Sequence, residues 1–124
     1  MTELRSGVDL IEIDRLAGID PAIRQRFLER VFTPGELADA GGSDASLAGR
    51  FAAKEAAAKA LGCGIGPVSW QEIEVQRGPQ RQPLLVLHGA ARRLADEQGL
   101  TRWSLSISHS RTHAIAMVVA LGDE

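Results

Sequence analysis

The strongest constraint on the fold is an alanine-rich segment in the middle of the chain. Six of the nine residues from 52 to 60 are alanine, the residue with the highest helix propensity, and no proline interrupts them. Ser43 or Asp44 can cap the start of a helix here, and Gly62 can end it in a left-handed conformation. We therefore predict a long helix that ends at Gly62 and packs closely against other elements.

Three charged side chains interrupt the alanines, and their spacing separates them. Glu55 and Lys59 are four residues apart and share a face, whereas Lys54 lies about 100° from Glu55 around the helix axis. Glu55 and Lys59 could form an exposed ion pair worth a few tenths of a kcal/mol. They could also be functional. Lys54 and Lys59 are the only lysines in the chain, and a compact ammonium suits contact with a phosphate or proton transfer.

Length and composition limit the classes of function. A chain of 124 residues predicts a single domain over residues 1–124, and its net charge of −2 argues against general nucleic-acid binding. No apolar run approaches the ~20 residues of a membrane span, and the first residues lack the order of a signal peptide. Because Cys63 is the only cysteine, an internal disulfide is excluded and we expect a cytoplasmic protein.

An aspartate interrupts the apolar face of the first predicted strand. Residues 4–13 have the composition of a strand, and alternation places Asp9 on the same face as Ile11 and Ile13. A carboxylate there is unfavourable unless a positive group meets it. Two explanations remain open, a cation beside Asp9 or an edge strand that leaves Asp9 in water.

A locally basic segment follows this strand. Asp20 and Pro21 predict the start of a helix over residues 21–31. Its surroundings carry four arginines against Asp20 and Glu29, which fits either a solvated face or a docking patch for an acidic partner. The four are Arg15, Arg24, Arg26 and Arg30. A capping box at residues 33–36 then predicts a short helix to about residue 40.

The C-terminal half alternates strands with one helix. Residues 70–76 and 83–87 predict a hairpin, with Glu72 and Glu74 pointing outward, and residues 89–98 predict a helix. Residues 103–109 and 114–121 predict two strands joined by a tight turn at Arg111 and Thr112, the second of them central. Because these two strands form a hairpin, a metal bound between His109 and His113 is disfavoured. The predicted fold class is α+β, an antiparallel sheet packed against the long alanine-rich helix.

Three segments in this order and spacing resemble the holo-[acyl-carrier-protein] synthase family, the short 4′-phosphopantetheinyl transferases. They cover essentially the whole chain, and their combination carries the resemblance. The segments are Gly7-Val8-Asp9-Leu10-Ile11-Glu12-Ile13-Asp14-Arg15, then Gly49 to Leu61 preceded by Phe32-Thr33-Pro34-Gly35-Glu36, and Ser106-Ile107-Ser108-His109-Ser110.

The resemblance implies transfer of 4′-phosphopantetheine from coenzyme A to a serine hydroxyl of an apo acyl carrier protein, with release of adenosine 3′,5′-bisphosphate. It implies that Asp9 and Glu55 bind Mg²⁺ or Mn²⁺ and that Glu55 and Lys59 are catalytic. It also implies that Lys59 contacts the phosphates of the coenzyme and that His109 lies near the 3′-phosphate. Arg50 and Gly62 are further candidates for coenzyme contact. Which carrier is modified, from a fatty-acid, polyketide or peptide synthase, stays open.

The resemblance also implies a homotrimer with active sites between subunits. We expect the acidic carrier to dock on the basic segment, at Arg15, Arg24 and Arg26. Relatives usually have Gly-Lys-Pro where this chain has Arg81, Gln82 and Pro83, which puts nucleotide affinity in question there. A non-catalytic carrier-binding or structural domain that kept the fold is the alternative to a transferase.

Overall fold

The computed structural model describes residues 2–122, which form the α+β fold that the sequence predicts. The elements between these residues are β1 (Glu3–Glu12), α1 (Asp14–Ala17), α2 (Pro21–Val31), α3 (Pro34–Ala40), α4 (Asp44–Leu61), β2 (Ile73–Arg77), β3 (Pro83–Leu87), α5 (Gly89–Glu97), β4 (Arg102–His109) and β5 (His113–Gly122).

The main sheet has three antiparallel strands in the order β1-β5-β4. β5 is central, as its apolar residues on both faces predict, and β1 is an edge strand. The hairpin of β2 and β3 forms a second, separate antiparallel sheet. The free edge of β2 bonds to side chains instead of another strand, because Val75 N donates to Glu36 Oε2 and Ile73 O accepts from Lys54 Nζ.

The alanine-rich helix α4 lies across the inner face of the main sheet. Ser43 caps it by accepting a hydrogen bond from Ser46 N, and Gly62 ends it with a φ of 79°. Glycines permit the close approach on both sides, since a Cβ on Gly7 would collide with the carbonyl of Ala56 and a Cβ on Gly49 with the side chain of Ile107. The helix is therefore held in one position between the two edges of the sheet.

Lys54 is fully buried beneath α3 and the second sheet. Its ammonium donates to Glu36 Oε1 at 2.8 Å, to Trp70 O at 3.0 Å and to Ile73 O at 2.6 Å. Burial lowers the pKa of Lys54, and the adjacent Glu36 carboxylate opposes that shift. All three ammonium protons have acceptors, so this side chain joins α3, α4 and β2 from within the core.

The structure differs from the sequence-based expectation at five places. The one-turn helix α1 was not predicted, because a four-residue helix is shorter than any hydrophobic repeat. Residues 70–72 form a 3-10 turn before β2, and the turn between β4 and β5 has three residues, 110–112, in which Ser110 Oγ accepts hydrogen bonds from Thr112 N and His113 N. Glu72, which the sequence predicts to point outward, is half-buried, because it accepts a hydrogen bond from Ala90 N.

Glu74 is the fifth difference, because it also lies half-buried instead of pointing into solvent. Its carboxylate accepts hydrogen bonds from Thr33 Oγ1 at 2.8 Å and from Gln76 Nε2 at 3.0 Å, and it contacts His88 Nε2 at 3.0 Å. It thus joins β2 to the start of α3. Within residues 2–122, no helix is long and apolar enough to cross a membrane.

Candidate active site

Asp9, Glu55 and Lys59 come together where β1 passes over α4. Asp9 faces the helix with about a fifth of its side chain exposed, and its Oδ1 lies 3.4 Å from Lys59 Nζ. The same ammonium donates to Val8 O at 2.9 Å. Both explanations for the aspartate hold in part, because β1 is an edge strand and a cation meets the carboxylate.

Glu55 completes this cluster from the same face of α4. Burial raises the pKa of its carboxyl, the negative charge of Asp9 raises it further, and Lys59 opposes both. The effect of Asp9 on Glu55 indicates that the two carboxylates are close enough to repel. The ion pair between Glu55 and Lys59 that the spacing allows is not formed among the described residues, since Lys59 pairs with Asp9.

Two adjacent carboxylates with a shared negative potential are a suitable partial ligand set for a hard cation. Mg²⁺ prefers oxygen ligands and is commonly bound by one or two carboxylates together with phosphate oxygens of the substrate. Asp9 and Glu55 fit that requirement. Among residues 2–122 no group of three or more histidine, cysteine and acidic side chains is placed to hold a metal by itself, so further ligands would come from substrate or solvent.

A second cluster, which we call the guanidinium pocket, lies at the other side of α4. It has a volume of about 260 Å³ and includes Arg50 and His109 in its wall. Arg50 is almost fully buried; its Nη1 donates to Val75 O at 2.7 Å and its Nε to Ser46 Oγ at 3.5 Å. Burial lowers the pKa of Arg50, an effect that the positive charge of Arg77 reinforces and nearby acids oppose.

The two clusters are separated by the helix itself. Asp9 and Ile107 are both register partners of Ala116, so they stand two strands apart, roughly 10 Å. α4 packs over the strand between them. Arg50 and Lys59 are nine residues apart on this helix, so they point in roughly opposite directions. Within one chain, the carboxylate cluster and the guanidinium pocket therefore open on different sides.

The arginines of the basic segment divide into two groups. Arg15 and Arg26 are exposed on α1 and α2, and Arg26 makes only a long contact with the carbonyl of Ala22. Arg24 instead pairs with Asp44 at 2.5 Å, and its Nε donates to Leu16 O. Arg24 therefore holds α2 against the start of α4, while Arg15, Arg26 and Arg30 are exposed to solvent.

The structure places the remaining candidates and adds two residues. Gly62 ends α4 and is not among the described residues that line the guanidinium pocket. Arg77 and Arg81, which the motifs did not include, do line it. The departure from the family at residues 81–83 was the available signal for Arg81. Nothing local marked Arg77, whose position depends on how the hairpin packs against α4.

Comparison with known proteins gives a consistent result over nearly the whole chain. Residues 5–118 match the family described as the 4′-phosphopantetheinyl transferase superfamily. A protein from Herpetosiphon aurantiacus named holo-[acyl-carrier-protein] synthase is 51% identical over 126 residues, covering 96% of this chain and 99% of that protein.

Two solved structures have the same fold. The holo-[acyl-carrier-protein] synthase of Helicobacter pylori, in complex with coenzyme A, superposes with a TM-score of 0.84 at 35% identity, covering 93% of this chain and 98% of the other. The enzyme of Bacillus anthracis, in complex with CoA (3′,5′-ADP), gives a TM-score of 0.76 at 35% identity and covers 96% of each chain.

Proposed function

The chain belongs to the 4′-phosphopantetheinyl transferase superfamily and is a transferase of the holo-[acyl-carrier-protein] synthase kind, and we propose that it works with Mg²⁺ and releases adenosine 3′,5′-bisphosphate. The donor is coenzyme A and the acceptor is an acyl carrier protein. Residues 1–124 act as one transferase domain in this proposal.

The observation that carries the proposal is the convergence of Asp9, Glu55 and Lys59. They come from an edge strand and a helix some fifty residues apart in sequence, yet one ammonium and two carboxylates meet at a single exposed place. A structural ion pair needs one carboxylate. The second carboxylate raises the local negative potential, and a divalent cation would relieve it.

Asp9 and Glu55 would hold Mg²⁺, which when bound neutralises the charge on the pyrophosphate of coenzyme A. Lys59 is anchored by Val8 O and half exposed, so its ammonium can turn toward an oxygen of the reacting phosphate and stabilise the charge that grows there. Attack by the carrier serine on the β-phosphate breaks the bond to the bridging oxygen. A water held by Glu55 would accept the serine proton.

Arg50 and His109 would bind the nucleotide end of coenzyme A in the guanidinium pocket. His109 Nδ1 lies 3.2 Å from Ser110 O, which orients the ring and leaves Nε2 for a ligand. The guanidinium of Arg50 is fixed by Val75 O and needs little reorganisation to meet an anion. Gly62 serves the helix end in this proposal and supports Lys59 only indirectly.

The active site would be shared between copies of the chain in a homotrimer. The carboxylate cluster and the guanidinium pocket open on opposite sides of α4, so a single coenzyme is better served by one cluster from each of two neighbouring chains. The outer face of the main sheet supplies an apolar surface for that contact. Its exposed large residues are Leu4, Val8, Leu10, Ile115 and Met117.

Carrier docking would use the exposed arginines of the basic segment. Arg15 and Arg26 are exposed on α1 and α2, and Ile23 adds an exposed apolar side chain on α2. An acidic carrier would be attracted over a Debye length of about 8 Å at physiological salt. Arg24 contributes by holding α2 in place.

A cytoplasmic location fits the free thiol of Cys63.

The proposal is tested by the mass of an apo carrier protein after incubation with coenzyme A, Mg²⁺ and the protein. A gain equal to phosphopantetheine, together with adenosine 3′,5′-bisphosphate in the supernatant, is the expected result. Replacing Mg²⁺ with a chelator should abolish both. A carrier that binds but keeps its mass under all metal conditions would favour a non-catalytic carrier-binding domain.

A further inference from the structure

The loop between β2 and β3 places an arginine in a backbone conformation that disfavours it. Arg81 has a φ of 66°, and among residues 2–122 no other non-glycine residue has a positive φ. This left-handed region is unfavourable for a long side chain with a Cβ. Such residues persist where the surrounding structure gives them a role.

Arg81 lines the guanidinium pocket together with residues of the N-terminal half of α4. Its neighbour Gln82 does not, because the Gln82 side chain folds back over Gly78 and accepts a hydrogen bond from Gln80 N at 2.8 Å. The turn is closed by Gly78 N, which donates to Gln82 O at 2.7 Å, and by Arg81 N, which donates to Gly78 O. The left-handed residue is thus the one that delivers a cation to the pocket.

The charged residues that line this pocket are all basic. Arg50, Arg77, Arg81 and His109 all belong to its wall, and none of the described residues that line it is acidic. Arg77 is fixed by donation from its Nη2 to Asp39 O at 3.0 Å. Two of the three guanidinium groups are therefore anchored by backbone carbonyls, whereas within residues 2–122 the hydrogen bonds of Arg81 involve only its backbone.

This excess of positive charge is more than one phosphate diester group requires. A phosphate monoester carries close to two negative charges at neutral pH and presents three acceptor oxygens, which planar guanidinium groups can meet in pairs. Of the phosphates of coenzyme A, only the one on the ribose 3′ position is a monoester. The guanidinium pocket suits that group by charge and by geometry.

We propose that Arg81 is the specificity-determining residue that makes this enzyme select nucleotides with a 3′-phosphate, and so coenzyme A over 3′-dephospho-coenzyme A. The inference rests on the proposed binding of the nucleotide end in the guanidinium pocket. Arg50 and Arg77 supply a fixed positive wall, and Arg81 closes on the monoester from the loop. The unfavourable φ is retained because a glycine there would leave the pocket without this third guanidinium.

Calorimetric titration with adenosine 3′,5′-bisphosphate and with adenosine 5′-monophosphate tests this without requiring turnover. Arg81→Gln keeps the unfavourable backbone and removes the charge, and it should weaken bisphosphate binding roughly tenfold to a hundredfold while changing monophosphate binding less than about threefold. Arg81→Lys should recover part of the loss. Arg93→Gln, which removes a guanidinium from the surface of α5 outside the pocket, is the matched control and should bind both as the unchanged protein does.

Arg81→Gly separates specificity from stability. Glycine accepts a positive φ, so this variant should melt at the same temperature as the unchanged protein or higher, while it loses the preference for the bisphosphate. Equal weakening of both nucleotides in Arg81→Gln, or an unchanged ratio between them, would overturn the proposal. If the unchanged protein transfers nothing to any carrier but still shows an Arg81-dependent preference, the proposed function fails and this inference stands.

Discussion

The two lysines of α4 are five residues apart and occupy opposite environments. Lys54 is fully buried, and its three ammonium protons have three oxygen acceptors within 3.0 Å. Lys59 is half exposed, lies 3.4 Å from Asp9 and donates to a single carbonyl at 2.9 Å. Lysine therefore has two different roles on this helix. A fully bonded, buried ammonium stabilises one arrangement of the core, whereas a partly bonded, exposed one keeps protons available for a ligand.

The difference also extends to the acidic partners of the two lysines. Glu36 is buried and uses both carboxylate oxygens, accepting from Thr33 N, Val75 N and Lys54. Asp9 and Glu55 have fewer partners, and they repel one another. The buried pair of Lys54 and Glu36 has no capacity for a cation or a phosphate. The exposed group around Lys59 has an excess of negative charge that a divalent cation would balance.

The largest effect on turnover is expected from Asp9 and Glu55, the two carboxylates beside the exposed Lys59. Asp9→Asn and Glu55→Gln should each lower turnover by more than ~10³-fold, because each removes a ligand and a charge while preserving shape. Circular dichroism and the melting temperature should stay near those of the unchanged protein. Near-normal turnover of either variant at saturating Mg²⁺ would remove the metal assignment.

Substitution of the buried Lys54 should lower the stability of the protein. Lys54→Ala leaves Glu36 charged without its partner and leaves two backbone carbonyls without a donor, so the free energy of unfolding should fall by about 3–5 kcal/mol. Urea denaturation measures this directly. Replacing both partners together, as Glu36→Gln with Lys54→Met, should recover part of the loss, because no uncompensated charge remains. A Lys54→Ala protein as stable as its parent would contradict the assigned role.

Lys59 should respond in rate. Lys59→Ala removes one charge-assisted contact to the reacting phosphate, which usually lowers the rate by ~10²–10³-fold. Lys59→Arg should recover only part of it, because a planar guanidinium is bulkier and differently hydrated than an ammonium. Single-turnover measurements with saturating coenzyme A isolate the chemical step. An ion pair at the surface would instead predict a nearly silent variant with a slightly lower melting temperature.

The smallest effect is expected from the docking arginines, which are exposed like Lys59 but lie away from the chemistry. Arg15→Glu and Arg26→Glu should each raise KM for the carrier about two- to tenfold at low salt and leave KM for coenzyme A unchanged. Arg93→Glu on α5 is the control for a change of net charge. Arg24→Glu should also lower the melting temperature, since Arg24 pairs with Asp44. Equal changes in both KM values would indicate a role in folding or subunit contact.

Local signals in the sequence predicted most of the fold. The capping box at Thr33 and Glu36, the N-cap at Ser43 and the left-handed Gly62 all lie where the sequence placed them, because each depends on residues three or four positions away. The same locality explains Asp9, since strand alternation alone puts it on the inner face. The one-turn helix α1 was missed because it has no repeat to detect.

Contacts between distant residues could not be predicted in this way. Helical spacing separated Lys54 from Lys59, but it could not supply the partner at Glu36, eighteen residues earlier, or the carbonyls of the second sheet. Likewise, Arg24 looked like a docking residue because its partner Asp44 lies on another helix. The grouping of Arg81 with Arg50 depends on how a hairpin packs against α4, which no pattern in either segment encodes.

The most direct test of the contrast between Lys54 and Lys59 is one measurement of kcat on two variants under the same conditions. The first is the charge-free pair Glu36→Gln with Lys54→Met, and the second is Lys59→Ala, both assayed below their melting temperatures. The account predicts that the first variant, though less stable, turns over within a few-fold of the unchanged enzyme and ~10²–10³-fold faster than the second. Equal kcat values, or a slower buried-pair variant, would contradict it.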